Sequence, residues 1–91
     1  MLKFETTAQY RQEYKRARKR GLDMSLIDSV ILTLLAQKPL DAKHEDHPLS
    51  GKFQNCRECH IQPNWLLIYR IDKNILTLTA VRTGSHADLF R

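Results

Sequence analysis

The feature that most limits the possible folds is an apolar run in the second half of the chain, "WLLIYRI" at residues 65–71. Nearly every position is apolar, which is typical of a β-strand covered on both faces. The polar turn "DKN" (residues 72–74) and a second apolar segment follow directly, and this order predicts a β-hairpin with strands at 65–72 and 75–82. A chain of 91 residues, 42% of them hydrophobic, can bury this hairpin in the core of a single domain, residues 1–91.

Two helices are expected before the hairpin. Residues 2–6 alternate like a short strand, and Thr6 with Gln9 resembles a capping box, which would begin a helix that continues to about Arg20 and ends at Gly21. The next segment, residues 24–37, has apolar side chains at i, i+3, i+4, i+7 and i+8, the pattern of a helix with one buried face.

The remaining segments complete the predicted architecture. Residues 53–61 are a third strand candidate beside the hairpin, and Ser85 with Asp88 forms a capping pair that would open a short helical turn. The order β-α-α-β-β-β predicts an α+β fold, in which two N-terminal helices pack on a mainly antiparallel sheet of about four strands.

The positive charge of the chain is concentrated at its N-terminal end. The net charge is +5, and residues 1–22 alone contain seven Lys or Arg against Glu5 and Glu13, so the remainder is neutral. The basic residues are densest in "RQEYKRARKR", which is predicted to be helical. A basic helix suits a polyanion such as RNA or an acidic protein partner, although a simply solvated helix face remains an alternative.

The stretch "CRECH" at residues 56–60 resembles a c-type haem attachment signature. No signal-peptide core and no apolar run of membrane-spanning length is present, so we expect a soluble cytoplasmic protein with reduced thiols, whereas haem attachment normally follows export. In a strand, Cys56 and Cys59 point to opposite faces and cannot share one metal. His44 and His47 could complete a Cys2His2 zinc set, but the cysteines flank Arg-Glu without the glycine of a sharp turn. The sequence favours no metal and no cofactor.

Three histidines lie at strand ends or in adjacent loops, where functional sites are usually built. They are His47, His60 and His86. Arg82 and the helix start after Ser85 together resemble a phosphate cradle, and Phe90 is positioned to stack on a base or, alternatively, to pack against the core. Cleaving RNA without a metal needs a base for the ribose 2′-OH, an acid for the 5′-oxygen and positive charge at the phosphate. Imidazoles can fill both protonation roles near neutral pH.

At these residues the chain resembles the YafQ branch of the RelE-like bacterial toxins. The resemblance extends over the whole chain and is carried by "DHPLSG" (46–51), "CRECHIQPNWLLIY" (56–69) and "RTGSHADLF" (82–90). It implies a RelE-like fold that agrees with the predicted element order. It also implies an endoribonuclease that cuts mRNA, typically on the ribosome, and is silenced by an acidic antitoxin. No cofactor and no membrane are implied.

The resemblance also assigns roles to individual positions. His47, His60 and His86 match the catalytic histidines of the family, Arg82 its phosphate-binding arginine and Phe90 its C-terminal aromatic residue. Asn64 departs from the pattern, because the family has an aspartate there. An amide cannot act as a general base, but Asn64 can still orient a histidine or contact RNA. The competing hypothesis is a basic RNA- or protein-binding module without catalysis, with or without stabilising zinc.

Overall fold

A five-stranded sheet forms the centre of the molecule, as described by a computed structural model for residues 1–90. The elements are β1 (Lys3–Thr6), α1 (Ala8–Lys19), α2 (Met24–Leu35), β2 (His47–Pro48), β3 (Arg57–Gln62), β4 (Trp65–Asp72), β5 (Thr77–Gly84) and α3 (His86–Leu89). None of the helices in this part of the chain combines the length and the apolar composition needed to cross a membrane.

The strand order in the sheet is β1-β5-β4-β3-β2. β1 pairs with β5 in parallel, and all the other pairs are antiparallel. The predicted α+β fold with a mainly antiparallel sheet is therefore confirmed, but the expected count of four strands is one too low. The additional strand, β2, contains only His47 and Pro48, and two residues are too few to show the alternation from which a strand is predicted.

The predicted ends of the elements differ from the observed ones where backbone turns intervene. β4 occupies the predicted residues 65–72. β3 begins at Arg57 instead of residue 53, because a 3-10 turn precedes it and Asn55 has a φ of 71°. β5 begins at Thr77 because Leu76, with a φ of 49°, still belongs to the turn. A positive φ does not fit an extended strand.

The first helix begins one residue later than the capping pattern predicts. Thr7, not Thr6, is its N-cap, and the Thr7 hydroxyl oxygen accepts a hydrogen bond from the Tyr10 backbone N–H at 2.9 Å. The same hydroxyl donates to the backbone carbonyl of Val81 on β5 at 2.7 Å, which ties the start of α1 to the sheet. α2 begins at the predicted residue, after the N-cap Asp23, and ends at Leu35 rather than residue 37.

The sheet separates two apolar clusters. On one face, α1 and α2 pack on the main core, which contains Trp65, Leu67 and Tyr69 of β4. On the other face, Leu66 and Ile68 of β4 pack in a smaller cluster that includes Leu89 of α3. The prediction that this strand is covered on both faces is therefore confirmed. The candidate site lies on the face covered by α3.

Candidate active site

The two cysteines lie on opposite faces of the sheet, as strand alternation predicts. Cys56 belongs to the smaller cluster around Leu89, whereas Cys59 is fully buried in the main core. Burial raises the pKa of the Cys59 thiol to about 12, so this thiol stays neutral. A single metal ion or haem cannot engage both sulfur atoms in this arrangement, and the thiols take the place of ordinary core side chains.

The three predicted histidines are connected to one another on the α3 side of the sheet. His47 on β2 is directly opposite Glu58 in the antiparallel ladder with β3, and His60 follows two residues later on the same face. His86 is the first residue of α3. The rings of His60 and His86 are 5.8 Å apart between centroids, and their planes are inclined at 78°. The pairing of β2 with β3 and the start of α3 together bring the three histidines close to one another.

Glu58 lies between two of the histidines, although the sequence analysis did not include it among the site residues. Its side chain is buried, and its Oε1 is 3.5 Å from Nε2 of His47 and 3.7 Å from Nε2 of His60. A buried carboxylate is costly unless cationic or hydrogen-bonding groups compensate it. Its position two residues before His60, on the same face of a strand, was the available signal.

His60 is in contact with a second carboxylate through its other ring nitrogen. Nδ1 of His60 is 3.3 Å from Oε2 of Glu45, in the loop before β2. A carboxylate only accepts hydrogen bonds when it is ionised, so carboxylates at both ring nitrogens favour a ring that carries two N–H groups. His60 therefore has a carboxylate near each of its ring nitrogens.

Asn64 contacts both the backbone and the ring of His86. Its side-chain oxygen accepts from the backbone N–H of His86 at 3.4 Å and lies 3.3 Å from Nδ1 of the His86 ring. Because a backbone N–H only donates, it is the oxygen and not the NH2 of Asn64 that faces His86. The contact with Nδ1 is then favourable only when Nδ1 carries the hydrogen, which leaves Nε2 of the neutral ring free to accept a proton.

Aromatic side chains border the histidines on the α3 side. The Phe90 ring is 45% exposed and lies 6.3 Å from the His86 ring. It also meets the edge of Phe53 at 6.0 Å, and the Lys52 ammonium lies 5.6 Å from the Phe53 ring centre. Phe90 therefore has a supported position and an exposed surface, which is what stacking on a base requires.

Arg82, predicted to be part of a phosphate cradle, is bound within the protein. Its guanidinium donates to both carboxylate oxygens of Glu13 on α1, with the shortest contact at 2.6 Å. The exposed fractions of the two side chains are 13% and 6%. A phosphate would have to compete with Glu13 for this guanidinium. Phosphate binding by Arg82 therefore stays a prediction, whereas its ion pair with Glu13 is present in the structure.

The short helix α3 is anchored through its capping box and through α1. Ser85 and Asp88 form the predicted box, and the Asp88 carboxylate also binds Arg20 of α1 at 2.8 Å. The Arg20 guanidinium and the Ser85 N–H hold the pKa of Asp88 well below its usual range. Because the pKa is depressed, this anchor is intact above the ordinary aspartate range and weakens only as the pH falls through the depressed pKa. His86 thus stays fixed throughout the range in which imidazoles titrate.

The site also contains a set of atoms that could hold a metal ion. One donor atom each from Glu58, His60 and His86 lie within 4.8 Å of one another. Carboxylate oxygen and imidazole nitrogen are suitable ligands for zinc, copper or nickel. The imidazoles of His60 and His86 would also be needed for acid–base chemistry. Metal binding and proton transfer therefore exclude each other at this site.

Comparison with known proteins identifies a family that matches almost the whole chain. The family model described as "Bacterial toxin of type II toxin-antitoxin system, YafQ" matches residues 2–91. The mRNA interferase toxin YafQ of Escherichia coli K12 is 40% identical over 88 residues, which are 94% of this chain and 92% of that protein.

Solved structures match the fold closely. A metal-bound toxin from Helicobacter pylori is 42% identical and has a TM-score of 0.94, with 99% of this chain and 100% of that chain covered. The toxin in the E. coli DinJ–YafQ complex is 34% identical with a TM-score of 0.91, and both chains are covered completely. The chain therefore belongs to the YafQ family of toxins from bacterial type II toxin–antitoxin systems.

Proposed function

We propose that the protein is an endoribonuclease that cleaves mRNA on the translating ribosome. It uses histidines as general acid and base and needs no metal cofactor. The observation that carries this proposal is the pair His60 and His86, whose ring centroids are 5.8 Å apart and whose ring nitrogens have different neighbours. His60 contacts carboxylates at both ring nitrogens, whereas Asn64 leaves one nitrogen of His86 available as an acceptor. We therefore assign His60 as the acid and His86 as the base.

The proposed reaction uses these two assignments. Nε2 of His86 takes the proton from the ribose 2′-OH, and the 2′-oxygen attacks the adjacent phosphorus. The bond between phosphorus and the 5′-oxygen breaks as His60 donates its proton to that oxygen. The products are a 2′,3′-cyclic phosphate and a 5′-hydroxyl. His86 then holds a proton that His60 lacks, and exchange with water restores the starting state.

Other residues of the site support these two steps. His47 contacts Glu58 through Nε2 and donates from Nδ1 to the backbone carbonyl of Glu45 at 2.7 Å, and we assign it the supply of positive charge near the phosphate when its ring is protonated. Glu58 holds His47 and His60 in place, and Phe90 offers a stacking surface for a base. We assign Arg82 an indirect contribution to phosphate binding through the position of β5.

The relatives support the substrate class and the partner. The E. coli relative is named an mRNA interferase, and a related YafQ is found in complex with the antitoxin DinJ. We propose that this chain is silenced by a cognate antitoxin of acidic character, because its N-terminal helix concentrates basic residues. A cytoplasmic location accompanies this function.

The test is cleavage of a defined mRNA, both free and bound to programmed ribosomes, with EDTA present. We expect cleavage with a 2′,3′-cyclic phosphate product, and no cleavage of a control substrate with 2′-deoxyribose at the cut position. In a parallel reaction without EDTA, added Zn²⁺ or Cu²⁺ should inhibit, because an ion bound to Glu58, His60 and His86 occupies the imidazole nitrogens that transfer protons. Cleavage that requires a metal would contradict the mechanism, and RNA binding without cleavage in either setting would favour the non-catalytic module.

Asn64→Asp tests which histidine is the base. An aspartate at this position would contact Nδ1 of His86 directly and would stabilise the protonated ring, which cannot accept another proton. We expect a bell-shaped pH–rate profile for the unmodified protein, with both limbs in the range of ordinary imidazoles. In the variant, the acidic limb should move to higher pH, so activity near pH 6 falls. An unchanged profile, or a limb moved to lower pH, would show that His86 is not the base.

A further inference from the structure

A cavity of about 530 Å³ adjoins His60 but is not lined by His86. It lies where the end of β3 meets the first turn of α2 and the 3-10 turn at Ala42–His44. Apart from His60, its lining includes Leu26, Lys43, Glu45, Ile61, Gln62 and Pro63. Concave sites of this size, with apolar walls and a few polar groups, are typical of sites that bind small organic groups. The reaction steps described above give this cavity no role.

The cavity and the exposed ring of Phe90 adjoin different members of the histidine pair. The His86 ring lies 6.3 Å from the Phe90 ring and 5.8 Å from the His60 ring, and His60 in turn lines the cavity. Neither Phe90 nor His86 belongs to the cavity lining. The contacts therefore follow one another in the order Phe90, His86, His60 and cavity.

The roles assigned to the two histidines give an RNA strand a direction across this row of contacts. The base has to reach the 2′-OH of the nucleotide on the 5′ side of the cut, whereas the acid has to reach the 5′-oxygen of the nucleotide on the 3′ side. With His86 as the base and His60 as the acid, the 5′ nucleotide lies nearer Phe90. The 3′ nucleotide then lies nearer the cavity.

The lining of the cavity suits a nucleobase better than an isolated phosphate group. The formal charges of Lys43 and Glu45 cancel, so these two residues do not make an anion site. Leu26 and Pro63 are exposed and offer apolar surface for the face of a heterocycle. The amide of Gln62 offers both donors and an acceptor for the edge of the base.

Two exposed polar side chains of the lining are available to a ligand, Gln62 and Lys43. Gln62 ends β3, and the register of β3 against β4 shifts between His60 and Gln62. Such a bulge changes the direction of a side chain and is common next to functional sites. Lys43 forms no ion pair within residues 1–90, so its ammonium can contact a phosphate.

We propose that this cavity binds the base of the RNA nucleotide on the 3′ side of the cut, with Gln62 at the edge of the base and Lys43 at the phosphate that follows. The proposal rests on the endoribonuclease activity and on the acid and base assignments proposed above. It makes Gln62 a specificity-determining residue, because bases differ in the hydrogen-bonding groups that they present to an amide. Lys43 contributes to RNA binding whatever the base, because a phosphate contact is independent of sequence.

The experiment compares an RNA that has one cut position with two modified copies of it. One copy lacks the base immediately 3′ of the cut and the other lacks the base immediately 5′ of it, and both retain the ribose with its 2′-OH. Single-turnover cleavage is measured on free RNA or on programmed ribosomes, whichever setting supports cleavage of the intact RNA. The original protein should cleave the copy without the 3′ base at least about fivefold more slowly than the intact RNA.

Three variants assign the contacts. Gln62→Ala should cleave the intact RNA about two- to tenfold more slowly, and removal of the 3′ base should then cost less than it costs the original protein. Phe90→Ala should reduce the cost of removing the 5′ base and leave the cost of removing the 3′ base unchanged. Lys43→Ala should slow the cleavage of all three RNAs by the same factor, and this factor should shrink at high salt.

Gln12→Ala and Lys73→Ala are matched controls, because both side chains are exposed and lie outside the cavity lining, and both should cleave all three RNAs at the original rates. Equal cleavage of the intact RNA and the copy without the 3′ base by the original protein would overturn the proposal. A cost of removing the 3′ base that persists in Gln62→Ala, or that disappears in Phe90→Ala, would overturn it as well. If the original protein leaves even the intact RNA uncut, the proposed function itself is wrong, and this outcome is distinguishable from the others because they all require cleavage.

Discussion

Replacing His86 or His60 with alanine is expected to lower the rate of RNA cleavage by about 10²–10⁴-fold, because each change removes a proton-transfer group. The two rings are the adjacent imidazoles of the site, and His86 lies at the exposed start of α3, where alanine maintains the helix. Folding should therefore survive, and thermal unfolding with single-turnover cleavage separates the two effects. His47→Ala should cost less, because His47 supplies charge rather than a proton.

His44 offers a matched control for these variants. Its ring lies outside the His60–His86 pair, and its Nδ1 contacts the backbone carbonyl of His60 at 2.6 Å. His44→Gln removes an imidazole but retains a hydrogen-bond donor for that carbonyl, so cleavage should remain close to the original rate. Full activity in both His60→Ala and His86→Ala would exclude the assigned acid and base.

Arg82→Ala is expected to destabilise the fold by about 3–5 kcal/mol, the usual cost of removing one partner of a buried ion pair. The carboxylate of Glu13, which is almost completely buried, would lose its closest cationic partner. Arg16 lies 3.6 Å from the same carboxylate but is much more exposed and compensates only in part. Chemical denaturation of the purified variant measures this loss directly.

Two further variants show how much of the lost stability comes from leaving a buried charge without its partner. Arg57 binds Asp46 at 3.2 Å, and these side chains are 42% and 27% exposed, so Arg57→Ala should cost at most about 1 kcal/mol. The double variant Glu13→Gln/Arg82→Gln removes both buried charges and should regain most of the stability lost in Arg82→Ala. If Arg82→Ala is as stable as Arg57→Ala but fails to bind RNA, Arg82 acts on phosphate and not through Glu13.

The parts of the fold that were predicted correctly depend on local sequence. The residues of β4 are apolar at nearly every position, so the strand and its burial on both faces followed from seven consecutive letters. The Ser85–Asp88 box is similarly local. In contrast, the start of β3 depends on the left-handed backbone of Asn55, and β2 exists only because β3 lies beside it. Neither has a periodic signal in the sequence.

The site shows the same division between local and distant information. The positions of the histidines were predicted, but their protonation depends on partners brought in by tertiary structure. Glu58 reaches His47 through the pairing of β2 with β3, and Asn64 reaches His86 across 22 residues. The Arg82–Glu13 pair spans 69 residues, so from the sequence alone an arginine before a helix start was interpreted as a free phosphate ligand. The spacing of residues along the sequence does not reveal contacts between residues that are so far apart in the chain.

The parallel pairing of β1 with β5 affects how the protein can fold while it is being synthesised. Thr7 donates its hydroxyl to a carbonyl 74 residues later, and Lys3 lies opposite Thr77, so β1 and the start of α1 have no strand to dock on until β5 has been translated. Contacts of such high sequence separation form late in folding. His86, moreover, follows β5 in the chain. A nascent copy therefore cannot assemble the histidine group until β5 and α3 have been synthesised.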